Sequence, residues 1–240
     1  MQPRRKASNM RPLRNRWTAL AAALALSALA GCTAAEGGNA GDDSSAADPT
    51  TAVAQAEMEG VESFYGEYGD YVTVTTAIQN GEATAEDLEY PFVAQQEHLD
   101  TLNTWDGQNP VYELRPPAGG NHLSAWQMCT GSVYDGPIAD GNAVHSMEHG
   151  AVWLTYDPEL VEQADIDALA LLISARDYSL MSPYPGQGVA VSLQSWGNRY
   201  QTEDPSDPKI GEYLDTYVLN ERFNPEPNAT CAGGVTATAS

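Results

Sequence analysis

In the C-terminal half of the chain, apolar positions recur at regular intervals, and they predict a definite order of elements. Residues 151–156 (Ala-Val-Trp-Leu-Thr-Tyr) read as a nearly continuous apolar strand. Asp157-Pro158 then resembles a helix cap with proline in the first turn. The predicted helix runs to about Arg176 and buries Val161, Ala164, Ala168, Leu169 and Leu172. Residues 178–181, 189–195 and 199–202 read as three further strands. A last helix starts at Asp207-Pro208 and presents Ile210, Tyr213, Leu214, Tyr217 and Val218 on one face. The N-terminal half is less regular. An aromatic cluster (Phe64, Tyr65, Tyr68, Tyr71) leads into Val72-Thr-Val-Thr, which predicts a strand, and residues 84–98 look helical but are interrupted by Pro91. Residues 108–138 are rich in Pro and Gly and predict a long loop, and residues 232–240 predict a frayed end. Together these features predict a single domain of the α+β (or α/β) class. It has a mixed sheet, two helices in its C-terminal half and a long Pro/Gly-rich loop region.

The first 31 residues follow a different logic. Arg4, Arg5, Lys6, Arg11, Arg14 and Arg16 precede a short apolar run, and Leu29-Ala-Gly-Cys32 closes it. A basic n-region, an apolar h-region and a small-residue box ending in cysteine predict a lipoprotein signal peptide, 1–31, with Cys32 lipidated after cleavage. Two or more acyl chains on Cys32 would anchor the protein stably, on the outer face of the cytoplasmic membrane. Residues 32–56 are small and polar and read as a flexible tether, with the globular domain at 57–235 and the frayed tail at 236–240. The whole chain carries 11 Lys+Arg against 33 Asp+Glu. Six of those bases and none of the acids precede Cys32, so the processed chain carries a net charge of −28. A surface of that sign disfavours nucleic acid and anionic headgroups.

Three cysteines are present. With Cys32 assigned to lipid, Cys129 and Cys231 form a pair, and an oxidising compartment favours a disulfide between them. It would close a loop of about a hundred residues, worth roughly 4–5 kcal/mol in the chain-entropy model. The alternative makes Cys129 a soft metal ligand near His122.

All four histidines, His98, His122, His145 and His149, fall within about a fifth of the chain. In a helix, His145, Glu148 and His149 share one face; in a strand, His145, Met147 and His149 do. Either arrangement brings two imidazoles within reach of one ion, and the loop ending in Asn121-His122 can deliver a third. The interleaved thioether of Met147, with Met128 close to His122, suits copper, although methionines more often fill cores. His-x-x-Glu-His is also formally an inverted zinc-peptidase motif. That chemistry needs a long helix, and here Gly141 and Gly150 bracket about two turns.

Pro116-Pro-Ala-Gly-Gly-Asn-His122, Gly131-Ser-Val-Tyr-Asp135, Ala143-Val-His-Ser-Met-Glu-His-Gly-Ala-Val-Trp153, Ser182-Pro-Tyr-Pro-Gly186, Trp196-Gly197, Pro225-Glu-Pro227 and Cys231 together resemble the bacterial envelope family called domain of unknown function 3105. The resemblance spans roughly residues 60–234, and His98 looks like the family's earlier histidine. It implies an extracytoplasmic anchored protein and says little of activity. The expected function is a membrane-anchored lipoprotein binding a transition metal, copper first, through His122, His145 and His149, with His98, Glu148 or Met147 completing the set. Its role would be capture or delivery rather than catalysis. The alternative is a non-metal module that docks an envelope protein through the Pro/Gly loop and Tyr112, Trp126 and Tyr134.

Overall fold

The computed structural model describes residues 58–99 and 112–239. The signal segment, Cys32, the tether and the start of the predicted loop lie outside the described residues. The strands are β1 (Glu62–Ser63), β2 (His98–Leu99), β3 (His122–Leu123), β4 (Thr130–Val133), β5 (Val152–Tyr156), β6 (Ser179–Pro183), β7 (Val191–Ser195) and β8 (Asn198–Thr202). The α-helices are α1 (Tyr71–Gln79), α2 (Asp140–Glu148), α3 (Gln163–Ser174) and α4 (Lys209–Tyr217). Six strands form one mixed sheet in the order β1-β8-β7-β5-β6-β4, and β2 pairs with β3 separately. β6 lies parallel to both β4 and β5, whereas β5-β7, β7-β8 and β1-β8 are antiparallel. α2 links β4 to β5 and α3 links β5 to β6, the helical crossovers that parallel strands require. The architecture is α+β.

β5, β6 and β7 are buried along their whole length, so both faces of the sheet are covered. Trp153, Leu154, Leu180, Met181, Leu193, Val144, Met147 and Ile173 form the centre of the core. α4 presents Ile210, Tyr213, Leu214 and Tyr217 inward as its periodicity predicts. The two-residue turn between β7 and β8 carries a structural load. Tyr65 Oη donates to Trp196 O (2.7 Å), Gly197 N donates to Ala118 O (2.7 Å) and Trp196 Nε1 donates to Val93 O (3.0 Å). A Cβ on Gly197 would collide with the Tyr65 ring.

Several expectations are corrected. Residues 72–75 lie in α1, not in a strand. Asp70 Oδ1 accepts from Thr73 N (2.7 Å) and caps the helix, and Val74 and Ala77 bury its inner face. The strand preference of Val and Thr is weak beside a cap and a packed face. Residues 84–98 contain two 3₁₀ turns, Ala85–Asp87 and Pro91–Ala94, instead of a helix. α3 begins at Gln163, because Asp157 divides its carboxylate between Glu159 N and Gly186 N, each at 3.0 Å, and closes a turn. Its buried residues are Leu169 and Ile173, while Ala164 and Ala168 are exposed. The Pro/Gly-rich region contributes β3 and the edge strand β4. Residues expected to fray run alongside Gln127: Met128 N donates to Val235 O and Val235 N to Trp126 O, both at 2.8 Å.

Candidate metal centre

The sequence positions the histidines from three separate segments. β2 and β3 run parallel with His98 and His122 as register partners, so their side chains leave the same face of a two-residue ladder. Asn121 Oδ1 accepts from Glu97 N (2.9 Å) and Glu97 O accepts from His122 N (3.0 Å), fixing that pairing. The third segment is α2, whose residues 141–148 are all buried. Its helical spacing puts His145, Glu148 and His149 on one face. α2 is fastened to the chain after β3: Ser146 Oγ donates to Gln127 O (2.6 Å) and Gln127 N donates to Asn142 O (3.0 Å). Gly150 ends the helix with φ +91°, and a Cβ there would lie 2.7 Å from Asn224 Nδ2.

Each buried imidazole is held by its Nδ1. His122 Nδ1 lies 2.9 Å from Gly120 O, His145 Nδ1 2.7 Å from Leu123 O and His149 Nδ1 2.8 Å from Thr230 O. A carbonyl oxygen only accepts, so each Nδ1 carries the hydrogen and a neutral ring leaves its Nε2 as a bare lone pair. That is how histidines are oriented behind metal ions. The Nε2 atoms face carboxylates. His122 Nε2 and His98 Nε2 lie 2.9 and 3.2 Å from Glu148 Oε2, and His149 Nε2 lies 3.3 Å from Glu226 Oε2. His122 Nε2 is fully buried and, despite the short distance, makes no directed hydrogen bond.

Ring centroids of His98, His122 and His145 are 4.7–4.8 Å apart, and His145 and His149 are 4.6 Å apart. Trp126 stands over His145 and His149 at 5.8 and 5.1 Å, and Trp196 meets His122 edge-on at 5.9 Å. Burial, reinforced by the neighbouring His122 and His149, pushes His145 down to about 4; burial also lowers His149. Burial alone would raise Glu148, but the adjoining imidazoles of His122, His98 and His145 outweigh it and hold the carboxyl below its ordinary range. Neutral His145 and His149 and an ionised Glu148 are in the protonation states that a metal ion needs.

Among the described residues, two groups of donors could hold an ion: His98, His122, His145 and Glu148, and, sharing one member, His145, His149 and Glu226. In each group the donor atoms lie within 4.8 Å of one another. The expected trio of His122, His145 and His149 is therefore divided, with His122 and His149 in different groups. Met147 faces elsewhere. It sits about 200° around the helix from His145 and is wholly buried in the core. Cys129 lies at disulfide-bonding distance from Cys231, with Cα atoms 4.8 Å apart. Glu226 was not singled out from the sequence as a donor; its one signal is the Pro-Glu-Pro segment quoted for the resemblance. Of the proposed docking aromatics, Trp126 packs on the histidines. Tyr112 and Tyr134 donate their hydroxyls to Asn121 O (2.8 Å) and Met128 O (2.7 Å).

Fold and site define a class: an α+β domain with a buried His/Glu cluster able to hold a metal ion. The family model described as protein of unknown function, DUF3105, matches residues 104–233, more than half of the chain, and the chain belongs to that family. The match includes every donor named above except His98. No curated protein matches the chain, and no solved structure does.

Proposed function

We propose that this protein is a membrane-anchored extracytoplasmic lipoprotein that binds a transition metal ion, copper, for capture or delivery. The observation that carries the reading is the buried Nε2 of His122, aimed at the Glu148 carboxylate with its own Nδ1–H already committed to Gly120 O. Two acceptors at that distance repel unless a proton or a metal ion stands between them, and a proton there finds no directed hydrogen bond. The donors are three imidazoles and one carboxylate, a set that suits Cu(II) in an oxidising compartment; copper also binds tightest in the divalent series. Four protein donors fill a four-coordinate shell and leave no open position, which favours holding an ion over catalysis. The lipobox at Leu29–Cys32 supports the anchor.

The test is metal analysis of the protein purified from its own envelope, followed by titration with Cu(II) and Zn(II). About one copper per chain and a preference for Cu(II) over Zn(II) are expected. Binding no tighter than micromolar for either ion would overturn the metal reading, and zinc in place of copper would overturn the choice of metal.

A further inference from the structure

The donor cluster holds two sets that meet at one residue. His145 lies against His98 and His122 on one side and against His149 on the other, with centroid distances of 4.7, 4.8 and 4.6 Å. It has one nitrogen to offer. Its Nδ1 is bonded to Leu123 O at 2.7 Å and keeps its hydrogen there, so a single lone pair remains, on Nε2. One lone pair binds one ion. An imidazolate bridge between two ions would need both nitrogens bare, and Leu123 O occupies the second.

The sets also differ in exposure. In the four-donor set the side chains of His122 and Glu148 are 0% and 4% exposed, with only His98 reaching solvent at 43%. The three-donor set pairs buried His149 (4%) with Glu226 (51%), on the segment that follows α4. His149 is oriented like the others, by Thr230 O, and Glu226 N donates to Glu148 O (3.0 Å), which ties the two carboxylate-bearing segments together.

We propose that His145, His149 and Glu226 form a second ion position that shares His145 with the first, so that the protein holds one ion at a time and passes it between them. This rests on the metal-binding reading above. The deeper set stores the ion. In passing outward the ion keeps His145 while His98, His122 and Glu148 leave and His149 and Glu226 join, so it is never stripped of every donor. At the outer position three protein donors leave one place in a four-coordinate shell, where an incoming chelating side chain can bind before the protein lets go. Glu226 is the solvent-facing donor of the outer set and therefore governs exchange from it.

Co(II), whose absorption reports its donor set, is the probe. The wild-type protein takes up one Co(II) per chain. His122→Ala still takes up one, more weakly, and loses it when His149→Ala and Glu226→Gln are added; if His122→Ala does not fold by circular dichroism, the exposed His98→Ala replaces it. In the otherwise wild-type protein, Glu226→Gln slows release of Co(II) to EDTA by about tenfold, the lower end for loss of a supporting metal contact. Two Co(II) per chain in the wild type, no ion retained by the weakened variant, or an unchanged release rate in Glu226→Gln would each overturn the relay while the metal-binding reading stands. A wild-type protein that binds no metal ion at all would remove both.

Discussion

At the scale of single residues, the chemistry of the cluster depends on main-chain carbonyls. Gly120, Leu123 and Thr230 each fix one imidazole through Nδ1 and so decide which nitrogen is free. The same burial makes the metal-free protein sensitive to acid. His145 ionises at 6.5 in an unfolded chain and at about 4 in the fold. Between those values the unfolded state takes up a proton that the folded state refuses, so stability falls as the pH drops from 6.5 towards 4. Glu148 adds to the loss at lower pH: its stabilisation is complete above the ordinary carboxyl value of 4.5 and disappears as the pH falls through its depressed value. Thermal melts of metal-stripped protein across this range should show a steadily falling Tm, and a flat profile would mean that the rings are not buried as neutral groups. Bound metal should flatten the upper part of the curve, because protons must then compete with the ion for Nε2.

At the scale of elements, the strong periodicities and the local capping signals have different reach. β5 to β8 and α4 form where their patterns predict, since a period of two or 3.6 over a buried surface leaves few other solutions. α1 shows the limit. Its Val-Thr-Val-Thr run has strand-forming composition, yet it is helical because Asp70 caps it and Arg222, 152 residues away, binds the same carboxylate through Nε at 2.9 Å. Asp70→Ala should therefore destabilise the domain by about 1–2 kcal/mol, the ordinary loss for an N-cap, measured by urea unfolding. Asp70→Asn, which keeps the cap but not the charge, should recover most of it. β2 and β3 mark the opposite limit. Two-residue strands have no period to read, and only their pairing aligns His98 with His122.

At the scale of the molecule, the Cys129–Cys231 link joins the start of β4 to the C-terminal segment that supplies Thr230 and Glu226. The 102-residue separation makes the link worth about 4–5 kcal/mol in the chain-entropy model. Reduction should lower the Tm and, because it loosens the segment that anchors His149, speed the exchange of bound metal. Two alkylatable thiols in protein taken from the envelope would contradict the pairing. The anchor has its own test: Cys32→Ala should abolish acylation and release the protein from the membrane fraction. A processed species that still sediments with membrane would sink the lipobox reading.

The sequence by itself determined the fold class and the strands and last helix of the C-terminal half; it offered Cys231 as a partner for Cys129, and a face shared by His145, Glu148 and His149 if the run is helical. All of these follow from local periodicity or from counting, which need no knowledge of what lies across the molecule. Tertiary structure decided the rest. It drew Glu226 to His149, set His98 beside His122, turned Met147 into the core and divided the expected trio between two sets. Each of these is a contact between segments without a shared period, and its geometry is fixed by hydrogen bonds to backbone atoms, which any residue carries and no sequence pattern marks.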